Sequence, residues 1–210
     1  MVDSLRVERV QVSKDTALTR DRILDAVSEQ LEFSGIAGLR LRDVAERLHV
    51  SVPSLYRFFA DREAMIDAAY VREFSSQTVA DLDEVRGAFE GASGAGDYAN
   101  ALRKVMVDLF ADQARRSRWH KLAAIAATRH DPVLLAQISS VQAEFNARVA
   151  ALYTLANDKG WLRVKVSPAA LVCAMQGLAM APLYAEISGD GISREALTEV
   201  VEAFHEAVTA

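Results

Sequence analysis

The side chains with the clearest chemistry in this chain lie between Arg40 and Arg62, where arginines, serines and a tyrosine occur at short intervals. Five candidates follow Ser51 directly: Val52, Pro53, Ser54, Tyr56 and Arg57. The apolar pair can contact thymine methyl groups, and the hydroxyls and the guanidinium can hydrogen-bond to base edges or phosphate oxygens. Presented on one short helix, these residue types are suited to contact with a DNA major groove.

Two helical patterns would position those side chains. Leu41, Val44, Ala45 and Leu48 follow an i, i+3, i+4, i+7 spacing, which predicts a helix with one buried face. A second helix is expected after Ser51, because the serine hydroxyl can cap it and Pro53 is tolerated in its first turn. Its buried side would consist of Leu55, Phe58 and Phe59. Residues 40–59 therefore predict a helix-turn-helix.

The motif by itself leaves two interpretations open. A tight turn between two short amphipathic helices also occurs in all-α proteins that bind no nucleic acid, and a motif needs its structural context. The chain could therefore be a DNA-binding protein. The alternative is a helical ligand-binding or enzymatic protein in which the helix-turn-helix is only structural.

Residues 19–70 supply that context, because they resemble the N-terminal DNA-binding domain of the tetracycline-repressor (TetR) family of transcription regulators. The matching elements are ILDAV with Leu31 and Gly35, RDVA at 42–45, VS at 50–51, LYRFF at 55–59 and ADREAMID at 60–67. The resemblance implies that Tyr56 and Arg62 contact phosphates, while residues 52–54 and Arg57 face the groove. Arg40 and Arg42 are further DNA-binding candidates.

Two positions depart from the family pattern. Arg40 stands where a serine or threonine usually caps the second helix, and an arginine can reach a phosphate but cannot cap. His49 occupies the turn position that is usually glycine, and histidine is among the residues enriched in the left-handed conformation. Both departures put the affinity for DNA and the turn geometry in question.

The charge balance gives the DNA-binding interpretation only local support. The net charge is −5, and the first 62 residues contain equal numbers of basic and acidic side chains. Between Arg40 and Arg62, however, five arginines face three carboxylates. A small number of phosphate contacts predicts a modest salt dependence and a need for two copies on one DNA site.

Several features argue against other classes of protein. The single cysteine, Cys173, has no activating neighbour and is predicted to be an inert buried thiol, and the four histidines lack metal-ligand spacing. The first ten residues lack the apolar core of a secretion signal, and no uninterrupted apolar run reaches membrane-spanning length. We therefore expect a cytoplasmic protein without membrane contact, enzymatic activity, metal or cofactor.

The hydrophobic periodicity predicts an all-α chain with no competing strand pattern. We expect a mobile N-terminal arm over residues 1–16. A three-helix DNA-binding domain should follow over residues 17–77, with its first helix running from Thr19 to Gly35. A larger helical ligand-binding and dimerisation domain is expected over residues 78–210, with GASGAG at 91–96 as a loop.

The C-terminal helices predict a homodimer. The helix that starts at Pro168 is apolar all round, so both of its faces must be covered, and a further helix is expected from Ser193 to about Val208. Two such pairs could form a four-helix bundle across a two-fold axis, as the resemblance also implies. A monomer with one deeply buried helix is the alternative. Arg115, Arg116 and Arg118 are expected at the C-terminal end of a helix that begins at Tyr98.

The resemblance further implies a ligand cavity in the second domain, whose occupation shifts the fourth helix and changes the spacing of the two DNA-reading helices. Eight residues are candidates for its lining, although any of them could simply belong to the core: Tyr98, Phe110, Trp119, His120, Phe145, Tyr153, Met175 and Met180. The function expected from all these features is repression at a palindromic operator in double-stranded DNA, with release by a small hydrophobic ligand.

Overall fold

The computed structural model describes the backbone of residues 3–189 and 191–209 and, except for Gln113, the side chains from Arg20 onward. Within those residues the chain is all-α, as predicted, and two single 3-10 turns interrupt it at Asp112–Ala114 and Thr128–His130. The α-helices are α1 (Asp3–Gly38), α2 (Leu41–Arg47), α3 (Val52–Leu55), α4 (Arg62–Glu90), α5 (Ala95–Asp108), α6 (Arg115–Ala127), α7 (Pro132–Asp158), α8 (Pro168–Leu178), α9 (Ala181–Ser188) and α10 (Arg194–Thr209).

The chain divides into two compact units, Met1–Glu73 and Phe74–Ala210. Helix α4 contributes residues to both units and is about 44 Å long at 1.5 Å per residue. The predicted domain limits, 17–77 and 78–210, remain a prediction about which parts fold independently. The predicted arm over residues 1–16 also stays a prediction, because its side chains lie outside the described residues.

A single apolar core holds the N-terminal unit together. Helix α1 contributes Ile23, Leu24 and Val27, each at most 1 % exposed, and α4 contributes Met65 and other apolar residues. The Arg72 guanidinium of α4 donates to the Asp21 carbonyl (3.0 Å) and the Asp25 carboxylate (2.7 Å) of α1. Burial drives this packing, and the polar contacts fix how α4 lies against α1.

Helix α1 differs from the prediction at its start and agrees with it near its end. It begins at Asp3, so Thr19 lies inside the helix and does not cap it. The helical geometry is interrupted at Gly35, as expected, where φ is 64° and ψ is −177°. Glycine adopts this combination readily because it lacks a Cβ.

The C-terminal unit has its own core, to which α5, α7, α8 and α10 all contribute. Its buried side chains include Tyr98 and Leu102 of α5, Tyr153 of α7, Leu171 of α8 and Val201 of α10. A salt bridge from Arg103 Nε to Glu202 Oε1 (2.7 Å) joins α5 to α10 on the surface.

The arginine group at 115–118 corrects one prediction. Helix α5 ends at Asp108, and Arg115 begins α6, so these arginines lie at a helix start and not at a helix C-terminus. Arg118 folds back and donates to the carbonyl oxygens of Leu109 (2.8 Å) and Ala111 (3.4 Å). The buried arginine therefore provides a hydrogen-bond donor to the Leu109 carbonyl at the C-terminal end of α5.

The apolar segment from Pro168 onward is two helices, and it is less buried than expected. By length and composition Pro168–Ser188 could span a membrane, a test that helices of soluble proteins also pass. A turn at Ala179–Met180 divides it, and Leu171, Val172 and Leu183 pack in the core. The prediction of a buried thiol is wrong for Cys173, which is exposed. It is exposed because it lies on the face of α8 that this chain leaves uncovered.

We predict that Gly35→Ala lowers the free energy of unfolding by about 1–3 kcal/mol, because an alanine strains the backbone at this φ and ψ. A Cβ at Gly35 would meet no atom within 4 Å, so steric overlap would not contribute. Gly87→Ala is the matched control: it also has open space and lies inside α4, so it should stabilise the protein slightly. Urea denaturation measures both, and equal stability of wild type and Gly35→Ala would contradict the strain.

Candidate nucleic-acid interface and ligand cavity

The turn between α2 and α3 takes the form that the helix-turn-helix motif predicts. Helix α2 ends at Arg47. Among the described residues other than glycine, His49 is the one with a positive φ, which is 56°. The His49 N–H donates to the Glu46 carbonyl (3.1 Å), and the Val50 N–H donates to the Ala45 carbonyl (3.0 Å). Histidine thus adopts the left-handed conformation that this turn requires, and the backbone bonds hold it there.

Helix α3 is shorter than predicted and is capped differently. Its helical residues are Val52–Leu55, and a turn continues to Phe58, whose N–H donates to the Leu55 carbonyl (3.0 Å). The Ser51 hydroxyl does not cap the helix; its oxygen lies 2.8 Å from the Ser54 hydroxyl oxygen. Pro53 lies in the first turn, as expected.

Leu55 and Phe59 anchor this segment in the core of the N-terminal unit. They are 0 % and 5 % exposed, whereas Phe58 is only partly buried against the same core. Arg20 places its guanidinium carbon 4.9 Å from the centroid of the Phe59 ring. These contacts determine which side of the segment remains in solvent.

The predicted DNA-contacting residues are not equally accessible. Pro53, Tyr56 and Arg57 are exposed, and so are Arg40 and Arg42. Ser54 is half-buried, and Val52 packs partly against the core, which leaves it less apolar surface for a base than expected.

The arginines of the motif fall into two groups. The side chains of Arg40, Arg42 and Arg57 make no hydrogen bond or ion pair within the part of the chain that the structure describes, so their charges are available. Arg47 instead pairs with Glu29 of α1. As predicted, Arg40 does not cap α2 through its side chain; its N–H donates to Gln30 Oε1 at 3.2 Å.

Arg62 has a structural role that the sequence did not suggest. Its Nη2 donates to the carbonyl oxygens of Ile36 (2.5 Å) and Leu39 (3.3 Å), and its Nη1 lies 3.5 Å from Glu63 Oε1. The side chain therefore ties the start of α4 to the loop between α1 and α2. Its predicted phosphate contact stays a prediction, but the guanidinium is already engaged within the chain.

The C-terminal unit contains a cavity of about 120 Å³. Its walls are mainly apolar side chains of α5, α7 and α8, including Leu102, Val105, Met106, Phe145, Val149, Val172 and Met175. The end of α4 within this unit adds Asp81, Glu84 and Val85. An apolar cavity of comparable size, about 150 Å³ in another protein, accepts benzene, so this one can hold a small hydrophobic body.

Four of the eight predicted ligand residues line this cavity and four do not. Phe145, Tyr153, Met175 and Met180 are on its wall. Tyr98 belongs to the core, 6.0 Å from the Phe89 ring and 5.8 Å from the Trp161 ring, and burial raises its pKa to about 12. The other three lie off the cavity: Phe110, Trp119 and His120.

The residues off the cavity have other surroundings. Phe110 borders a separate pocket that also contains Arg115 and Glu186. His120 Nδ1 lies 3.4 Å from Gln77 Nε2. Apolar periodicity could not distinguish these positions from cavity walls, because both kinds of residue point toward the interior of a helical unit.

Sequence reasoning missed the polar wall of the cavity. Lys121 pairs with Asp81, and Gln176 joins an amide cluster in which its Nε2 donates to Asn146 Oδ1 at 2.7 Å. The signal available in the sequence was the i, i+3 spacing of Asp81 and Glu84, which places both carboxylates on one side of α4.

A polar chain leads away from the cavity through Tyr153. Its buried hydroxyl lies 3.4 Å from His205 Nε2, and His205 Nδ1 lies 3.3 Å from Thr209 Oγ1. Burial, and then the nearby Tyr98, raises the pKa of Tyr153, while burial lowers the pKa of His205. Both groups are therefore neutral in the folded protein at neutral pH.

Comparison with known proteins identifies the family. Residues 23–69 match the model of bacterial regulatory proteins of the tetR family. The matched segment includes the core residues of the N-terminal unit, the turn between α2 and α3, and α3 itself. These residues form a DNA-binding segment of the tetR-family type. The resemblance of the N-terminal segment to this family's DNA-binding domain is therefore confirmed.

Solved structures described as TetR-family regulators share the fold along most of the chain. One from a Rhodococcus species is 23 % identical, with a TM-score of 0.66, and the match covers 91 % of this chain and 98 % of that one. One from Mesorhizobium loti is 16 % identical, with a TM-score of 0.72 and coverage of 91 % and 95 %. A transcriptional regulator from Saccharomonospora viridis, in complex with choline, is 15 % identical, with a TM-score of 0.70 and coverage of 92 % and 98 %. Among curated proteins, no sequence matches this chain.

We predict that Arg62→Lys lowers the free energy of unfolding by about 1 kcal/mol, because lysine cannot reproduce the two-carbonyl contact of the guanidinium fork. Arg42→Lys is the matched control, since Arg42 is exposed and should change stability by less than about 0.5 kcal/mol. Chemical denaturation compares them. Equal effects of the two substitutions would show that Arg62 does not hold the loop.

We also predict a stability change that depends on His205. Burial lowers its pKa below the ordinary value of 6.5, so the unfolded chain takes up the proton first as the pH falls. The contribution of His205 to the free energy of unfolding is therefore complete above the unfolded-state pKa of 6.5 and is lost as the pH falls below it. His205→Gln should reduce the loss of stability between about pH 7.5 and about pH 5.5.

The control for this titration is His130→Gln, because His130 is exposed. Thermal unfolding at the two pH values gives the comparison for wild type and both variants. If all three proteins lose the same stability, His205 is not the group that the buried environment holds neutral.

Proposed function

We propose that this regulator is a repressor that binds a palindromic operator as a homodimer and leaves it when a small hydrophobic ligand enters each C-terminal unit. The observation that carries the proposal is the exposed surface of Pro53, Tyr56 and Arg57 on a segment anchored by two buried residues. Because Leu55 and Phe59 fix this segment to the core, the backbone that carries the exposed side chains is positioned before DNA binds.

The charges of the N-terminal unit support contact with the DNA backbone. Arg40, Arg42 and Arg57 are exposed and unpaired among the described residues, so binding DNA would not require an internal ion pair to break. Tyr56 is 47 % exposed, and its hydroxyl can reach a phosphate. The short, proline-containing start of α3 allows the backbone to approach base edges closely.

Two uncovered apolar faces support a dimer. On α10, small apolar side chains are exposed at intervals of four, three and four residues: Ala196, Val200, Ala203 and Ala207. On α8, exposed residues follow an i, i+3, i+4, i+7 spacing: Ala170, Cys173, Ala174 and Gly177. Such stripes permit close helix packing, and a second copy would cover both in a four-helix bundle. A two-fold dimer would place two α3 segments about one DNA turn, roughly 34 Å, apart.

The cavity supports ligand control. Asp81, Glu84 and Val85 of α4 lie on its wall, and α4 is one continuous helix from Arg62. Suppose that α4 can adopt two placements and that the ligand binds one of them more tightly. The ligand would then favour that placement along the whole helix, including its Arg62 end. The S. viridis regulator was solved with choline, and a multidrug binding protein, EbrR, of similar fold was solved with imidazole. A regulator that binds a bacterial operator meets its DNA in the cytoplasm, and we infer that location for this protein.

We predict that Arg57→Ala weakens operator binding by about 10- to 100-fold and that Tyr56→Ala reduces the salt dependence by about one phosphate contact. Arg129→Ala is the charge-matched control, because Arg129 is exposed in the C-terminal unit. Electrophoretic mobility shifts with DNA that flanks the gene give the affinities.

Ligand binding to the same variants separates the two classes of function. In a regulator, the double variant Tyr56→Ala/Arg57→Ala should lose DNA binding and keep its ligand affinity. If wild type and this variant bind DNA equally, α3 is not the interface, and the helix-turn-helix is then only structural.

A further inference from the structure

The cationic donors on the cavity wall are already used within the chain. The Lys121 ammonium pairs with the Asp81 carboxylate. Arg118 is 6 % exposed, and its terminal nitrogens donate to the carbonyl oxygens of Leu109 and Ala111. Its Nε has no partner among the described residues, but it is buried and inaccessible to a molecule in the cavity. Neither cation therefore offers an accessible, unoccupied N–H donor to an anionic ligand.

The neutral polar groups on the wall are also engaged. The Ser117 hydroxyl donates to Gln77 Oε1 at 2.7 Å. The Gln176 amide donates to Asn146 at 2.7 Å and accepts from a second amide at the same distance. The Tyr153 hydroxyl lies against the imidazole described above. A ligand that needs a strong neutral partner would have to displace one of these bonds.

Glu84 is the exception on this wall. It is an exposed residue that lines the solvent side of the cavity, and its carboxylate makes no hydrogen bond or ion pair within the residues that the structure describes. Burial and the neighbouring carboxylates Asp81 and Asp108 raise its pKa, so it lies in a locally negative environment. The nearest balancing charge, Lys104, is itself bonded to Asp108 at 3.1 Å. Glu84 is therefore the accessible charged group on this wall for which the described residues provide no bonded partner.

The rest of the cavity limits the size and polarity of its occupant. Leu102, Met106, Phe145 and Val149 form apolar walls around a volume of about 120 Å³. This space suits a hydrocarbon body of about one aromatic ring. An anionic head group would face Glu84 with no unoccupied donor nearby, whereas a cationic head group would find an unpaired carboxylate.

We propose that the ligand of this cavity is a small lipophilic amine whose ammonium group pairs with Glu84 while its hydrocarbon part packs among Leu102, Phe145 and Val149. The inference rests on the proposed ligand-binding function and adds its chemical class. Glu84 is then the residue that selects for positive charge, and the apolar wall selects for size.

The first test uses the wild-type chain and three probes of the same shape. Isothermal titration calorimetry near pH 7.5 compares 2-phenylethylammonium, 2-phenylethanol and phenylacetate, which differ in charge at one end. The ammonium should bind at least about fivefold more tightly than the alcohol, and phenylacetate most weakly. Absence of ammonium binding, equal binding of the three probes, or a preference for phenylacetate would overturn the inference.

The second test removes the charge. Glu84→Gln should weaken binding of the ammonium by about five- to tenfold and leave the alcohol within about twofold. Glu90→Gln is the control, because it removes one carboxylate from the same helix away from the cavity wall. Circular dichroism confirms that both variants are folded, and the probe comparison on wild type needs no variant. An unchanged ammonium affinity in folded Glu84→Gln would overturn the role of Glu84.

The outcome is independent of the DNA experiments. The calorimetry contains no DNA, so a preference for phenylacetate would refute the amine and leave the regulator proposal intact. Failure of the operator-binding prediction would, conversely, leave the charge selectivity of the cavity measurable.

Discussion

Burial of Leu55 and Phe59 is the constraint on which the DNA-binding surface depends. Helix α3 has only four residues, too few to be stable alone. It keeps its position because these two side chains lie in the core that α1 and α4 also build. The exposed sides of Pro53, Tyr56 and Arg57 follow from that burial. A weaker anchor would leave the same residues in solvent without a fixed direction.

Polar contacts around this core refine its geometry and add less to its stability. The left-handed His49 closes the turn, Gln30 receives the N–H of Arg40, and Arg62 joins two carbonyls of the preceding loop. Each contact involves a backbone group that the helix ends leave without a helical partner. The loops that connect α1, α2 and α4 are therefore held by side chains at a distance in sequence.

Sequence periodicity predicted the features that are determined within a single helix, namely its buried face and a break at glycine. The apolar spacing of Ile23, Val27, Val44 and Leu55 identified the core, and Gly35 marked the break in α1. It did not predict the end of α5 at Asp108, because the apolar pattern continues through that point. At this break the Arg118 side chain donates to the carbonyl oxygens of Leu109 and Ala111. A contact between a side chain of one helix and the end of another cannot be predicted from the periodicity of apolar residues.

The cavity shows the same limit. Apolar spacing favoured Phe145, Tyr153, Met175 and Met180, which lie on the cavity wall, and equally favoured Tyr98, which lies in the core. The polar wall was missed because Asp81, Glu84 and Lys121 resemble ordinary solvated helix residues in the sequence. Cys173 was predicted to be buried because its helix is apolar. Its exposure is explained if a second copy covers it, which is information that one chain does not contain.

The central claim is that two α3 segments read one duplex together, and a hydroxyl-radical footprint on the DNA flanking the gene tests it directly. Two equivalent protected patches, centred about one helical turn apart on the same face of the duplex, are expected for the dimer. A single isolated patch would contradict it. So would the absence of any protected patch at high concentrations of folded, ligand-free protein.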